Sequence, residues 1–274
     1  MSHCRRTSLI VLGLYSLLTV MLLWPMPAQM STRLIGDNID VYINPWANWW
    51  TNKALRGDSS HGRLIMTIET PEWKRSLEIE GWNKDRTFAF IKILAPAKER
   101  GNTTLRRKTE MWVWLPKVER VIKIPPTMMH STWQGSDFTY EDIVKADSIV
   151  KDYTHKLLKT TKEEGRTVYH IEAIPKPDAP VVWGKVLTDV ALYDEDQSVI
   201  PLNERDYSER GELIRTITLS DVKVMSGRRV PARLECVPRK KKGQRTILYY
   251  KELEFDIPLG EEFFSYQRLQ KGGH

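Results

Sequence analysis

The chain has 274 residues, 42 Lys and Arg against 35 Asp and Glu, and a net charge of +7; 41% of its residues are hydrophobic and 28% charged. That balance excludes a disordered chain, a collagen-like repeat and a polytopic membrane protein. Two cysteines, Cys4 and Cys236, exclude a disulfide-stapled scaffold and a cysteine-cluster zinc site, and ten tryptophans are more than ordinary packing needs.

Basic residues in Met1–Arg6 precede an unbroken apolar run from Leu9 to Trp24 and then Pro25-Met26-Pro27-Ala28. These are the parts of a secretory signal, with Ala28 suited to the last position before cleavage. No charge occurs between Arg6 and Arg33, so an uncleaved single anchor fits as well. Removing Met1–Ala28 takes away Arg5 and Arg6 and leaves +5. Either way the chain is expected to be exported. Residues 29–60 form a Trp-rich entry segment. Asn44 as N-cap and Pro45 at the first helical position predict a helix over Pro45–Leu55, with Trp46, Trp49 and Trp50 on one face.

From residue 61 to 274 the pattern predicts one mainly β domain. Leu64, Met66 and Ile68 alternate with Arg63, Thr67 and Glu69, Trp73, Leu77 and Ile79 alternate with Lys74, Ser76, Glu78 and Glu80, and the period of two recurs in Val186–Leu192, Leu213–Leu219, Val230–Cys236 and Ile247–Phe255. Turns are expected at Gly81-Trp82-Asn83, Glu163-Glu164-Gly165, Ser226-Gly227 and Lys242-Gly243. Arg86–Leu94 and Leu105–Leu115 carry apolar residues on both faces, as strands covered on both sides do. A cover is expected in Thr139–Ala146, a short helix with Thr139 as N-cap and Asp142 three residues on, a variant of the capping box. Such an antiparallel meander curls into a sandwich or barrel.

Signals for catalysis are weak. No phosphate loop, His-Glu-x-x-His, Gly-x-Ser-x-Gly or Cys-x-x-Cys occurs. His61, His130, His155 and His170 are isolated and read as structural, so neither a metal nor a cofactor is expected. Asp137, Glu141 and Asp142 are better suited to capping a helix than to a pair of glycosidase carboxylates. Arg239-Lys240-Lys241-Lys242 reads as a solvated hairpin tip or as a contact for anionic head groups at a membrane surface or for an acidic partner; nucleic acid is not an expected partner. The segment Ile122–Val144 places Met128, Met129, Trp133 and Phe138 after Pro125-Pro126, which suits either an adaptable apolar surface or a plug at one end of a barrel.

Several motifs in fixed order resemble the bacterial outer membrane lipoprotein-sorting family, periplasmic relatives of the LolA and LolB carriers. They are Arg56-Gly57-Asp58-Ser59-Ser60-His61-Gly62, Leu94-Ala95-Pro96-Ala97-Lys98-Glu99-Arg100-Gly101, Met111-Trp112-Val113-Trp114-Leu115-Pro116, Arg120–Pro126 and Gly135–Asp142. Before Leu55 the chain departs from the family pattern. The resemblance implies a half-open antiparallel β-barrel closed by a helical lid, an apolar cavity for the acyl chains of a lipoprotein or lipid, and service to an RND-type inner-membrane transporter. Together with the residues themselves it gives the expected cavity contacts: Phe88, Phe90, Met111, Val113, Met128, Met129, Trp133, Phe138 and Ile143. An adaptor that carries no lipid, and an exported hydrolase of glycans or lipids, are the alternatives.

Overall fold

The computed structural model describes residues 57–272 except 86, 145–148, 150–151, 180 and 197. The signal or anchor and the Trp46/Trp49/Trp50 helix lie outside the described residues.

The first six strands are β1 (Ser59–Glu69), β2 (Lys74–Lys84), β3 (Phe88–Ala95), β4 (Thr103–Arg107), β5 (Glu110–Leu115) and β6 (Arg120–Lys123). The remaining seven are β7 (Tyr153–Glu163), β8 (Arg166–Pro175), β9 (Lys185–Tyr193), β10 (Val199–Tyr207), β11 (Leu213–Met225), β12 (Arg228–Pro238) and β13 (Arg245–Phe255). They form one antiparallel sheet in the order β6-β5-β4-β3-β2-β1-β13-β12-β11-β10-β9-β8-β7. Two meanders, β1–β6 and β7–β13, are thus joined where β1 pairs with β13. The outermost strands, β6 and β7, do not pair with each other, so the barrel stays half open. The chain passes from one open edge to the other through residues 124–152, which include helix α1 (Tyr140–Val144). Residues 124–144 of that crossover lie over one face of the sheet. The C-terminal stretch with helix α2 (Tyr266–Gln270) covers part of the other.

Cross-strand register turns sequence alternation into a continuous apolar row. Met66 faces Leu77 on one side and Leu248 on the other, Leu248 faces Leu234, and Leu234 faces Leu219. Such pairs are the stabilising unit of a sheet. Gly62 suits its crowded place beside β13, because a Cβ there would lie 2.8 Å from the Glu252 carbonyl oxygen and 2.9 Å from Leu253 Cδ1.

Two local expectations are corrected. Gly81-Trp82-Asn83 is not a turn but part of β2, where Trp82 stacks on His61 with ring centroids 4.9 Å apart. Leu105–Leu115 is not one strand but parts of β4 and β5, folded back at Lys108, whose φ of 57° supplies the turn. No glycine or proline marks that turn, and the two-faced apolarity of the stretch is that of a hairpin. The other turns form as expected, with Ser226 and Gly227 at φ 45° and 75°, the left-handed pair of a tight hairpin. Among the described residues no helix is long and apolar enough to cross a membrane.

Candidate functional site: a lidded trough on the concave face

The concave face bears a cavity of about 450 Å³ reached by residues of both meanders. Leu64, Ile79, Ile91, Leu219, Leu234 and Leu248 supply much of its wall. Of these only Ile79 is fully buried; the others stay half-buried, as apolar groups do where packing is incomplete. Toward the β3–β5 side the same face closes into dry core: Met66, Ile68, Leu77 and Ile93 pack beneath Trp133, and Met111, Val113 and Ile124 pack beneath Met129, Tyr140 and Ile143.

The crossover is fixed as a lid by its own sequence and by the sheet. Thr139 and Asp142 form a reciprocal capping box: the Thr139 amide donates to Asp142 Oδ2 at 2.7 Å, and the Asp142 amide donates to Thr139 Oγ1 at 3.2 Å. Arg215 of β11 then holds the same carboxylate from below, Nη1 to Oδ2 and Nη2 to Oδ1 at 2.7 Å each, while its Nε donates to Asp206 Oδ2 at 2.6 Å. The guanidinium lies 4.6 Å from the centre of the Trp183 ring. Its partners raise its pKa further above the ordinary arginine value, overcoming the opposing effect of burial. Asp137 is a second fastening: its Oδ2 accepts from Thr246 Oγ1 at 2.8 Å and its Oδ1 from Gln244 Nε2 at 2.5 Å. At the far side Trp133 Nε1 reaches Thr104 Oγ1 at 3.4 Å, Arg75 donates to the Gln134 carbonyl, and Arg106 donates to the Ile143 carbonyl at 3.0 Å.

The nine residues expected at the cavity separate into four groups. Trp133, Phe138 and Ile143 line it from the lid. Met111 and Val113 lie on the same face but are buried under the lid, with Met129 half-buried against them. Met128 is exposed on the crossover and does not line the cavity. Phe88 and Phe90 are corrected: they point from the opposite face of β3 into a cluster with Leu105, Phe264 and Leu269, and their neighbours Ala89 and Ile91 face the cavity instead. Trp112 and Trp114 also pack on that outer cluster. The pleat allows only alternate residues on one face, and the C-terminal segment makes both faces of β3 apolar.

Sequence reasoning missed the polar end of the cavity, lined by Glu204, Arg215, Tyr153 and Trp183. Asp206 and Arg215 are directly paired across β10 and β11. Burial and the Asp206 charge push the Glu204 carboxyl up to about 8. Burial also pushes the Cys236 thiol up to about 12 and the Tyr153 hydroxyl above its ordinary value. Elsewhere, His61 bonds Glu80 at 3.1 Å, His170 bonds Asp189 at 2.7 Å and His130 lies 3.2 Å from Glu141. Among the described residues no group of three or more His, Cys, Asp or Glu is placed to hold a metal. Lys240 and Lys241 sit at the β12–β13 turn, near Glu212 at 3.0 Å and Asp137 at 3.4 Å.

An open antiparallel barrel with a helical crossover over an apolar trough defines a LolA-like fold. Solved structures share it. A DUF1329 family protein from Desulfovibrio piger superposes with a TM-score of 0.67 at 20% identity over 77% of this chain and 91% of its own. A putative outer membrane lipoprotein-sorting protein domain from Vibrio parahaemolyticus gives 0.65 at 21% identity over 77% of this chain and 91% of its own. A LolA superfamily protein from Nitrosomonas europaea gives 0.65 at 21% identity over 81% and 96%. A family model described as "-like: Uncharacterized protein" matches residues 85–271, and the chain belongs to that family. No curated protein matches the chain.

Proposed function

We propose that the protein is a non-enzymatic periplasmic carrier or chaperone that holds the acyl chains of a lipoprotein or lipid in its concave trough. Delivery in concert with an RND-type inner-membrane transporter, with contact at a membrane surface through the basic β12–β13 turn, belongs to the same reading. The observation that carries it is the row of half-buried aliphatic side chains, Leu64, Ile91, Leu219, Leu234 and Leu248, left facing a cavity of about 450 Å³ beneath a fastened lid. That volume falls within the roughly 300–1,000 Å³ of small-molecule sites. Each buried CH₂ contributes about 0.8 kcal/mol, so a twelve-carbon chain gains on the order of 9 kcal/mol before the cost of immobilising it. Burial on that scale supports retention, and incomplete packing supports release. A tightly interlocked core would oppose loading.

The test is native mass spectrometry and lipid extraction of protein purified from the periplasm, beside a Leu219→Glu variant. The reading predicts co-purifying lipid in the wild type and its loss in the variant. Empty wild-type protein that also ignores added acyl probes would overturn it.

A further inference from the structure

The outer face of the sheet carries a second cavity, of about 620 Å³ and open to solvent, where β3, the β3–β4 turn, β5 and the end of α2 meet. Alternation puts it there. Ile93 and Val113 point into the core beneath the lid, so Lys92, Leu94 and Trp114 point outward. The half-buried Trp114, with Leu94 and Pro116, supplies the apolar part of the lining. Gly101, at φ 84°, lets the β3–β4 turn come close to β5: a Cβ there would lie 3.3 Å from Pro116 Cγ. The cationic part comes from Lys92 of β3, Arg100 of the turn and Lys271, the residue that ends α2.

None of those three cations forms an ion pair among the described residues, and one carboxylate, Glu119, shares the lining with them. Many other arginines on the sheet are matched: Arg63 by Glu80, Arg166 by Glu163, Arg229 by Glu195 and Arg245 by Glu69. Arg100 is also held in place. Its Nε donates to the Leu94 carbonyl at 3.0 Å, while its two terminal nitrogens make no hydrogen bond among the described residues. Three like charges gathered beside one carboxylate repel one another, and an anion among them removes that cost. A guanidinium fork matches the oxygens of a phosphate, and two ammonium groups beside it supply the charge that a dianion needs. The indole and the proline ring offer apolar surface to whatever body carries the phosphate.

We infer that this cavity binds a phosphate monoester, with the phosphoryl group between Lys92, Arg100 and Lys271 and its carbon body against Trp114 and Pro116. A sugar phosphate and the head group of a phosphate-bearing lipid present the same chemistry here. A carboxylate of similar size brings half the charge, and a neutral sugar brings none, so the site ranks ligands by charge. It lies on the opposite face of the sheet from the trough and is independent of the carrier reading.

The experiment titrates the full chain by isothermal calorimetry at about pH 7.5, where a phosphate monoester carries close to two charges. The probes are glucose 1-phosphate, glucuronate and glucose. The wild type should prefer glucose 1-phosphate to glucuronate by roughly tenfold, show no heat with glucose, and lose affinity as NaCl is added. Arg100→Gln should weaken glucose 1-phosphate by roughly threefold to tenfold, and Lys92→Gln combined with Lys271→Gln by at least as much. Urea midpoints and monolauroylglycerol binding should stay at the wild-type values in these variants, which separates a lost site from a lost fold. Flotation with phosphatidylcholine vesicles, plain or containing phosphatidate, distinguishes the sources. Capture by the phosphatidate vesicles alone, lost in Arg100→Gln, assigns a lipid head group, and binding confined to glucose 1-phosphate assigns a soluble ligand. Equal affinity for glucuronate, no binding of any phosphate probe, or affinity untouched by the substitutions in folded protein would overturn the inference and leave the carrier reading standing.

Discussion

Replacing Arg215 by Met should free the lid and destabilise the protein at neutral pH by about 3–5 kcal/mol, the usual penalty for removing one partner of a buried ion pair. Arg215 and Asp206 have side chains only 5% and 0% exposed, and the Asp142 side chain is 19% exposed. Without the guanidinium, two carboxylates remain in an enclosed corner with Glu204, and the ring of Trp183 loses its cation. Asp142→Asn should be milder, about 1–2 kcal/mol, because Arg215 keeps Asp206 and an amide can still accept from the Thr139 amide. Urea denaturation followed by tryptophan fluorescence gives both values. Hydrogen exchange locates the effect: amides of Ser136–Asp142 should lose protection in Arg215→Met before those of β1 and β13. Because the deprived carboxylates favour protons, the deficit should shrink as pH falls toward 4. A variant within 1 kcal/mol of wild type at pH 7, with lid amides still protected, would refute the latch.

Three further outcomes follow from the same geometry. Glu204 has a raised folded-state pKa, so the folded protein keeps a proton that the unfolded chain releases, and its contribution to stability should be lost as pH rises from about 4.5 to about 8, with a slope up to roughly 1.4 kcal/mol per pH unit. Subtracting the Glu204→Gln profile isolates it, and a difference that rises with pH would contradict the assignment. Cys236 is buried with its thiol pushed up to about 12, so iodoacetamide labelling mapped to its peptide should be very slow in native protein and rapid in urea. Labelling at the same rate in both would contradict its burial. Phe90→Ala should cost about 3–5 kcal/mol of stability yet leave acyl-probe affinity unchanged, since Phe90 packs on the outer face. Lost affinity with the fold intact would place Phe90 in the site after all.

Much of this architecture is legible in the sequence because a half-buried sheet writes its period into the chain. Leu64, Met66 and Ile68 recur at every second position, and they face inward together. The capping box at Thr139 and Asp142 is legible for the same local reason: three residues decide it. Parity fails at Phe88 and Phe90 because the segment that covers them, around Phe264 and Leu269, lies some 170 positions away in the chain. Alternation cannot say which of two apolar faces meets a distant helix. Trp183 belongs to no motif, and its place over Arg215 emerges only from tertiary structure. Glu204, Asp206 and Arg215 carry no motif either. Only the register that sets Asp206 opposite Arg215 makes them one cluster.

The central claim is that the concave trough takes an acyl chain. Titrating the full chain with monolauroylglycerol against a bound neutral fluorophore, for wild type, Leu219→Glu and Phe90→Ala, tests it most directly. The account predicts displacement by wild type and Phe90→Ala and a loss of tenfold or more in Leu219→Glu. Displacement that is absent from the wild type, or unaltered by a charge at Leu219, would contradict it.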